Sequence, residues 1–221
     1  MIKACEKHKI FLFDFDGTLV DSMPTYGRVM LSILDDAKIS YPDDILKTIT
    51  PLGYIGTTDY FIKMGVTLPR EKIIETMAER MINVYKTSIE EKEGVKDTLL
   101  RLKSMGCSLN VLTASPHVTL DPCLKRIGLF ELFDNVWSCN DFETTKADPE
   151  IYRIAAKKLG TDVNHVVFID DNVDAVRTAK TAGMVSVGIY DPSSHEYIDE
   201  MKRIADGYLE DMTQLTELLI K

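Results

Sequence analysis

The chain has 221 residues, of which 45% are hydrophobic and 28% are charged, as in an ordinary globular protein. No apolar run approaches the roughly 20 residues that span a bilayer, and the first residues lack the apolar stretch of a secretory signal. The net charge is −9, and no run of Lys and Arg could follow a nucleic-acid backbone. We therefore expect a cytoplasmic protein with no nucleic-acid or membrane partner. No pattern indicates an oligomeric state.

The cysteines argue against a zinc site and against a redox pair. Cys5, Cys107, Cys123 and Cys139 lie far apart in the sequence and form no CxxC motif. We expect them to be reduced and mostly buried.

Short apolar runs that end in polar residues predict buried parallel strands. Four such runs are Ile10–Phe13 before Asp14, Leu109–Leu112 before Thr113, Val166–Ile169 before Asp170, and Val185–Tyr190 before Asp191. Helical patterns lie between them, including one from Pro149 that Asp148 would cap and one that Asn172 would cap. Alternating strands and helices predict an α/β fold with a Rossmann-like parallel sheet.

The region from about Asp21 to Glu93 interrupts this alternation, because it contains helical patterns and no convincing strand. Its apolar residues recur at three- and four-residue spacing, first from Met23 to Ala37 and then from Ile73 to Ile89. We interpret these stripes as core packing, and Asp21 as the N-cap of the first helix. The sequence thus predicts a core domain formed by residues 1–20 and 92–221, with an inserted α-helical cap domain at residues 21–91.

The motif Asp14-Phe15-Asp16-Gly17-Thr18 carries the clearest chemical signal. Asp14 and Asp16 leave the carboxyl end of a buried strand, where open α/β sheets bind ligands. Two carboxylates repel each other unless a cation neutralises them, and hard oxygen ligands suit Mg²⁺. Gly17 allows a sharp turn that brings backbone N–H groups near an anion.

Other predicted strand ends add complementary groups. Thr113 offers a hydroxyl and the N–H groups of its loop to phosphate oxygens, Lys146 offers a cation, and Asp170 with Asp171 offers further metal ligands. Each feature alone is more often structural than catalytic. Together with Asp14 and Asp16, these residues supply a nucleophile, an acid, metal ligands and a group of anion-binding contacts.

With these four motifs in order, the chain resembles the haloacid dehalogenase (HAD) superfamily of phosphohydrolases. The first motif is Asp14 to Thr18, Thr113 stands for the second, Lys146 for the third, and Asp170-Asp171 for the fourth. The helical insertion after the first motif is similar to the type 1 cap of phosphoglycolate phosphatase and β-phosphoglucomutase relatives. The resemblance spans nearly the whole chain.

Two positions depart from the family pattern. The usual Lys-Pro-x-Pro reads Lys146-Ala147-Asp148-Pro149, which keeps the cation and the helix-starting proline but loses loop stiffness. The usual Gly-Asp reads Asp170-Asp171, so the ligand role maps to Asp171, and Asp170 could bind the metal through water.

The resemblance implies a Mg²⁺-dependent phosphatase acting on a small phosphorylated metabolite, such as a sugar phosphate or a phosphoglycolate-like compound. Asp14 would form an aspartyl-phosphate, and Asp16 would act as general acid and then as general base. Asp14, Asp171 and the backbone carbonyl of Asp16 would bind Mg²⁺. Lys146, Thr113, the Ala114 N–H and the Gly17 turn would hold phosphoryl oxygens, and the helical cap would exclude water.

Two other functions stay open on the sequence. A sugar phosphomutase would use the same core, but the positions where the family's mutases carry cap cations correspond here to Tyr26 and to the stretch Gly53–Gly56. An inactive binding module could use the same fold, although every charged motif position is retained. His117 follows Thr113 closely, and we interpret it as an ordinary loop histidine.

Overall fold

The computed structural model describes residues 9–216, apart from the side chain of Pro51. Its contacts divide the chain into two compact units: residues 22–89 form one, and the residues up to Asp21 and from Glu90 onward form the other. Cys107, Cys123 and Cys139 are buried and lie outside any disulfide, as expected, and Cys5 lies outside the described residues. None of the helices described is both long enough and apolar enough to cross a membrane.

The larger unit is built on six parallel strands in the order β3-β2-β1-β4-β5-β6. The strands are β1 (Ile10–Phe13), β2 (Ser108–Thr113), β3 (Asn135–Ser138), β4 (Val166–Asp170), β5 (Val185–Ile189) and β6 (Gly207–Leu209). The α/β Rossmann-like core predicted from the sequence is confirmed. The sequence prediction omitted β3 and β6, the two edge strands.

Burial on both sides explains why β1 has no alternation of polar and apolar residues. Phe11, Leu12 and Phe13 are completely buried, as expected for the centre of a parallel sheet. One hydrophobic cluster joins Leu12 to residues of the helices that follow β3 and β4. The helices of this unit are α5 (Val95–Ser104), α6 (His117–Arg126), α7 (Pro149–Lys158), α8 (Val173–Ala182) and α9 (Ile198–Ile204).

The smaller unit is helical, and its residues 22–89 contain no strand. It comprises α1 (Met23–Asp36), α2 (Ile45–Ile49), α3 (Gly53–Lys63) and α4 (Arg70–Thr87). The stripes read from the sequence face the interior here, because Met30, Ile33, Ile73 and Met77 belong to one buried cluster. The interpretation of these stripes as core packing is therefore confirmed.

Helix capping follows the sequence in two cases and departs from it in one. Asp148 accepts a hydrogen bond from the Glu150 N–H at the start of α7, and Asn172 accepts from the Asp174 and Ala175 N–H groups at the start of α8. The prediction for Asp21 was wrong, because Ser22 occupies the N-cap position of α1 and makes no side-chain cap.

Candidate active site

The parallel register places the motif residues at one edge of the sheet. Phe13 lies beside Val111 of β2 and Ile169 of β4, and the carboxyl ends of parallel strands face the same way. Asp14, Thr113 and Asp170 therefore emerge next to one another. Edges of this kind are where α/β sheets bind their ligands.

A buried cluster of carboxylates is the main feature of this edge. Ligand oxygens of Asp14, Asp170 and Asp171 all lie within 4.8 Å of one another, and none of the three residues is more than 8% exposed. Burial raises the pKa of Asp14 to about 7, against the lowering effect of Lys146, and it raises the pKa of Asp171 well above its ordinary value. Neighbouring carboxylates add to both increases.

This crowding is the property that a divalent cation would relieve. Three carboxylates supply hard oxygen ligands of the kind that Mg²⁺ and Ca²⁺ prefer, and a cation among them would offset their mutual repulsion. The described residues therefore fit a divalent metal ion.

Lys146 lies in the loop before α7 and joins two of these carboxylates. Its ammonium is 2.5 Å from Asp14 Oδ1 and 2.8 Å from Asp170 Oδ2. Burial alone would lower the pKa of Lys146, but the charges of Asp14 and Asp170 outweigh it, so the pKa lies well above its ordinary value. The contacts with Asp14 and Asp170 therefore favour the charged form of Lys146.

The loop around Lys146 has Ala147 in place of the first proline of the family pattern, and hydrogen bonds hold the loop instead. The hydroxyl of the fully buried Tyr152 is 3.2 Å from the carbonyl oxygen of Lys146 and 3.2 Å from that of Ala175. The N–H of Asp148 also donates to the carbonyl of Thr145. The stiffness that we expected the loop to lose at Ala147 is thus supplied partly by Tyr152.

Asp170 has both carboxylate oxygens engaged. Oδ1 accepts from the Asn172 N–H at 2.7 Å, and Oδ2 accepts from Lys146. This geometry suits an anchor for Lys146. Metal ligation by Asp170 stays a prediction.

Asp16 is half-buried and accepts a 2.5 Å hydrogen bond from the hydroxyl of Ser115. Thr113, 1% exposed, accepts from the Ser115 N–H at 3.0 Å. Ala114 lies exposed between them. Ser115 thus ties the loop after β2 to the loop after β1.

Gly17 and Thr18 pack directly against Asp171. Gly17 has φ +77°, and a Cβ added there would lie 2.7 Å from Asp171 Oδ2. The Thr18 hydroxyl is 3.2 Å from Asp171 Oδ1 and 3.2 Å from the Asp171 N–H. Only glycine allows the turn to approach this carboxylate so closely.

Sequence reasoning missed several residues around this edge. Ser115 could have been noticed, because it lies two residues beyond Thr113. Lys92 gave no usable signal, since its contacts join segments far apart in the chain. Asp191 was recognised only as the polar residue after the apolar run Val185–Tyr190. His117 is the first residue of α6 rather than a loop residue, and its ring bonds Asp121 at 2.8 Å and Asp141 at 2.9 Å.

Known proteins resemble this chain over most of its length. Pyrophosphatase PpaX from Bacillus velezensis is 30% identical over 80% of this chain and 81% of its own. Hexitol phosphatase B from Escherichia coli K12 is 26% identical over 93% of both chains. The predicted phosphoglycolate phosphatase of Haemophilus somnus 129pt has the same fold, with a TM-score of 0.82, 22% identity, and coverage of 96% of this chain and 98% of that one.

A family model confirms the resemblance read from the motifs. The model of haloacid dehalogenase-like hydrolases matches residues 8–183, a span that contains Asp14, Thr113, Lys146 and Asp171. This chain therefore belongs to the haloacid dehalogenase-like hydrolase family.

Proposed function

We propose that this hydrolase is a Mg²⁺-dependent phosphatase that releases phosphate from a small phosphorylated metabolite through an aspartyl-phosphate at Asp14. Its family and its phosphatase relatives make it a phosphoric monoester hydrolase. The observation that carries the finer proposal is the buried cluster of Asp14, Asp170 and Asp171 beside the Lys146 ammonium.

Asp14 is the proposed nucleophile, since its carboxylate leaves the end of the central strand with Lys146 in direct contact. Attack on phosphorus would form an Asp14 Oδ–P bond and break the bond to the leaving oxygen. Lys146, the Thr113 hydroxyl and the Ala114 N–H would hold the phosphoryl oxygens. The N–H of Gly17 donates to the Val20 carbonyl at 3.0 Å instead.

Asp16 is the proposed acid and base. It would give a proton to the departing oxygen and then take one from the water that hydrolyses the aspartyl-phosphate. The Ser115 hydroxyl fixes the orientation of its carboxylate. Asp14, Asp171 and the carbonyl of Asp16 would hold Mg²⁺, with Asp170 as a further candidate. When bound, Mg²⁺ would reduce the charge repulsion between these acids and a phosphate dianion.

A hydrolase fits the helical unit better than a phosphomutase does. The mutase position occupied by Tyr26 supplies no cation. Its ring instead stacks on Tyr54 at 6.2 Å, against the buried apolar cluster. We propose that residues 21–91 act as the cap domain and select the substrate, while residues 1–20 and 92–221 carry the chemistry.

The first experiment measures phosphate release from p-nitrophenyl phosphate with Mg²⁺, with EDTA, and after Mg²⁺ is restored. We expect activity to vanish with EDTA and to return. Asp14→Asn should abolish turnover without unfolding the protein, because the amide keeps the shape but is not a nucleophile. Glu150→Gln, at an exposed helix position, is the matched control and should keep wild-type rates. Full activity of Asp14→Asn, or in EDTA, would refute the mechanism.

Substrate choice requires a screen by kcat/KM over hexitol phosphates, other sugar phosphates, phosphoglycolate and pyrophosphate. A kcat/KM for one of these compounds well above that for p-nitrophenyl phosphate would identify the substrate class. Isomerisation of a sugar phosphate without phosphate release would favour the mutase. No turnover of any substrate would favour a binding module.

A further inference from the structure

Lys92 joins two loops at the edge of the sheet, just after the chain returns from the helical unit. Its ammonium donates to the Gly17 carbonyl at 2.7 Å, the Tyr190 carbonyl at 2.8 Å and Asp191 Oδ2 at 3.0 Å. A lysine ammonium has three N–H donors, so the three acceptors use its full capacity. The side chain is only 19% exposed.

Asp191 fixes the ammonium from the end of β5. It is 1% exposed, and its Oδ1 accepts from the N–H of Ser193 at 2.9 Å and from the Ser193 hydroxyl at 2.6 Å. A carboxylate buried this deeply needs a cationic or hydrogen-bonding partner on each oxygen. Lys92 supplies the partner for Oδ2.

The Gly17 carbonyl matters because the Gly17–Thr18 turn sets the position of Asp171. The turn approaches Asp171 too closely for any side chain at position 17, and Thr18 bonds the Asp171 carboxylate. Lys92 holds this turn at a second point, since its own N–H donates to the Leu19 carbonyl at 3.0 Å. A substitution at Lys92 should therefore displace the Gly17–Thr18 turn and, with it, the Asp171 carboxylate.

We propose that Lys92 is a positioning residue for the divalent-cation site, which it shapes by holding the Gly17–Thr18 turn against Asp171. The inference rests on the proposed function only for the presence of that cation. A buried ion pair that merely stabilises the fold is the competing explanation. If Lys92 positions the turn, metal affinity falls when its hydrogen bond to the Gly17 carbonyl is lost. If the ion pair only stabilises the fold, metal affinity does not change.

The test compares Mn²⁺ binding, followed by the electron paramagnetic resonance signal of the free ion, in matched variants. Asp191→Asn removes the charge pair but leaves the Lys92 bond to Gly17. Lys92→Met combined with Asp191→Asn removes that bond as well and leaves no unpaired buried charge. Loss of groups that orient metal ligands weakens binding by roughly 10- to 100-fold. We expect this loss in the double variant and a much smaller one in Asp191→Asn.

Thr98→Val is the control for a general loss of stability. The Thr98 hydroxyl is buried and donates to the Met212 carbonyl at 3.2 Å, and neither residue belongs to the site. We expect this variant to melt at a lower temperature and to bind Mn²⁺ like the wild type. Equal Mn²⁺ affinity in Asp191→Asn and the double variant would overturn the proposal, as would a wild type that binds no Mn²⁺.

Mn²⁺ binding also separates this inference from the proposed function. A wild type without phosphatase activity, whose Mn²⁺ affinity still falls with loss of Lys92, would refute the function and keep the inference. An active wild type whose Mn²⁺ affinity is unchanged by the loss of Lys92 would support the function and refute the inference.

Discussion

Replacing Gly17 with alanine should disable the site far more than it destabilises the fold. Gly17 has φ +77°, and an added Cβ would lie 2.7 Å from Asp171 Oδ2 and 2.8 Å from Asp171 Cγ. Real Cβ atoms do not approach so closely, so either the turn or the Asp171 carboxylate must move. Gly106 provides a matched control, because it has φ +76° and a Cβ there would meet no atom within 4 Å.

Both alanine variants should pay the same backbone cost. A left-handed conformation costs a residue with a Cβ about 1–2 kcal/mol, and 1 kcal/mol lowers the melting temperature of a domain this size by roughly 2–4 °C. We therefore expect both to melt about 2–8 °C below the wild type. The melting temperature of Gly17→Ala should fall somewhat further, because the clash with Asp171 adds to the cost of the left-handed backbone.

Activity should separate the two variants. A displacement near 1 Å at a reacting or ligating group can cost on the order of 10²-fold in rate, so Gly17→Ala should lose about a hundredfold in kcat/KM for p-nitrophenyl phosphate. Gly106→Ala should keep wild-type kinetics. The measurements are scanning calorimetry and steady-state phosphate release at saturating Mg²⁺. Equal activity in the two variants would show that the turn does not position Asp171, and the assigned role of Gly17 would have to be dropped.

Three further predictions concern groups that support the site. Ser115→Ala removes the hydroxyl that bonds Asp16, and hydrogen bonds to charged groups contribute about 1.5–3 kcal/mol. We therefore expect kcat to fall roughly 10- to 100-fold for alkyl phosphates and less for p-nitrophenyl phosphate. An equal loss of kcat for both substrates would contradict the acid role of Asp16. Tyr152→Phe, which removes the hydroxyl near the Lys146 carbonyl, should lower the free energy of unfolding by about 0.5–1.5 kcal/mol in urea titrations and also lower kcat; unchanged kcat would show that this contact does not position Lys146. Hydrogen bonds to two carboxylates raise the pKa of His117 above 6.5, so its stabilising effect is full below that pH and is lost as pH rises through the raised value. Half-exposure limits the effect to under about 1 kcal/mol; His117→Gln should therefore lower the melting temperature more at pH 5.5 than at pH 9, and the opposite order would refute this reading.

The parts of the fold that the sequence predicted are those governed by complete burial. β1 was predicted with its observed bounds, Ile10–Phe13, because an uninterrupted apolar run can be buried on both faces only in the middle of a parallel sheet. β4 was predicted one residue short, and Asp148 and Asn172 cap the helices predicted for them. Where one physical cause dominates, local pattern was sufficient.

The parts that were missed depend on weak or distant interactions. β3 and β6 are edge strands of four and three residues with partly exposed side chains, so neither alternation nor an apolar run marks them. Lys92 looks like an ordinary surface lysine in a charged segment, and its partners Gly17 and Asp191 are distant in the sequence. Polar contacts of this kind depend on the tertiary arrangement, which local pattern does not encode.

The position of β1 in the middle of the sheet has a consequence for how the protein is made. β1 leaves the ribosome first, yet Ser108, which pairs with Ile10, follows only after the whole helical unit. At about 5–20 residues per second, the interval between Phe13 and Ser108 is roughly 5–20 s. During that time the helical unit can already fold, because its apolar cluster draws only on its own residues. The nascent Phe11–Phe13 segment, which is completely buried in the folded protein, meanwhile has neither neighbouring strand, so its apolar side chains stay exposed to non-native contacts for that interval.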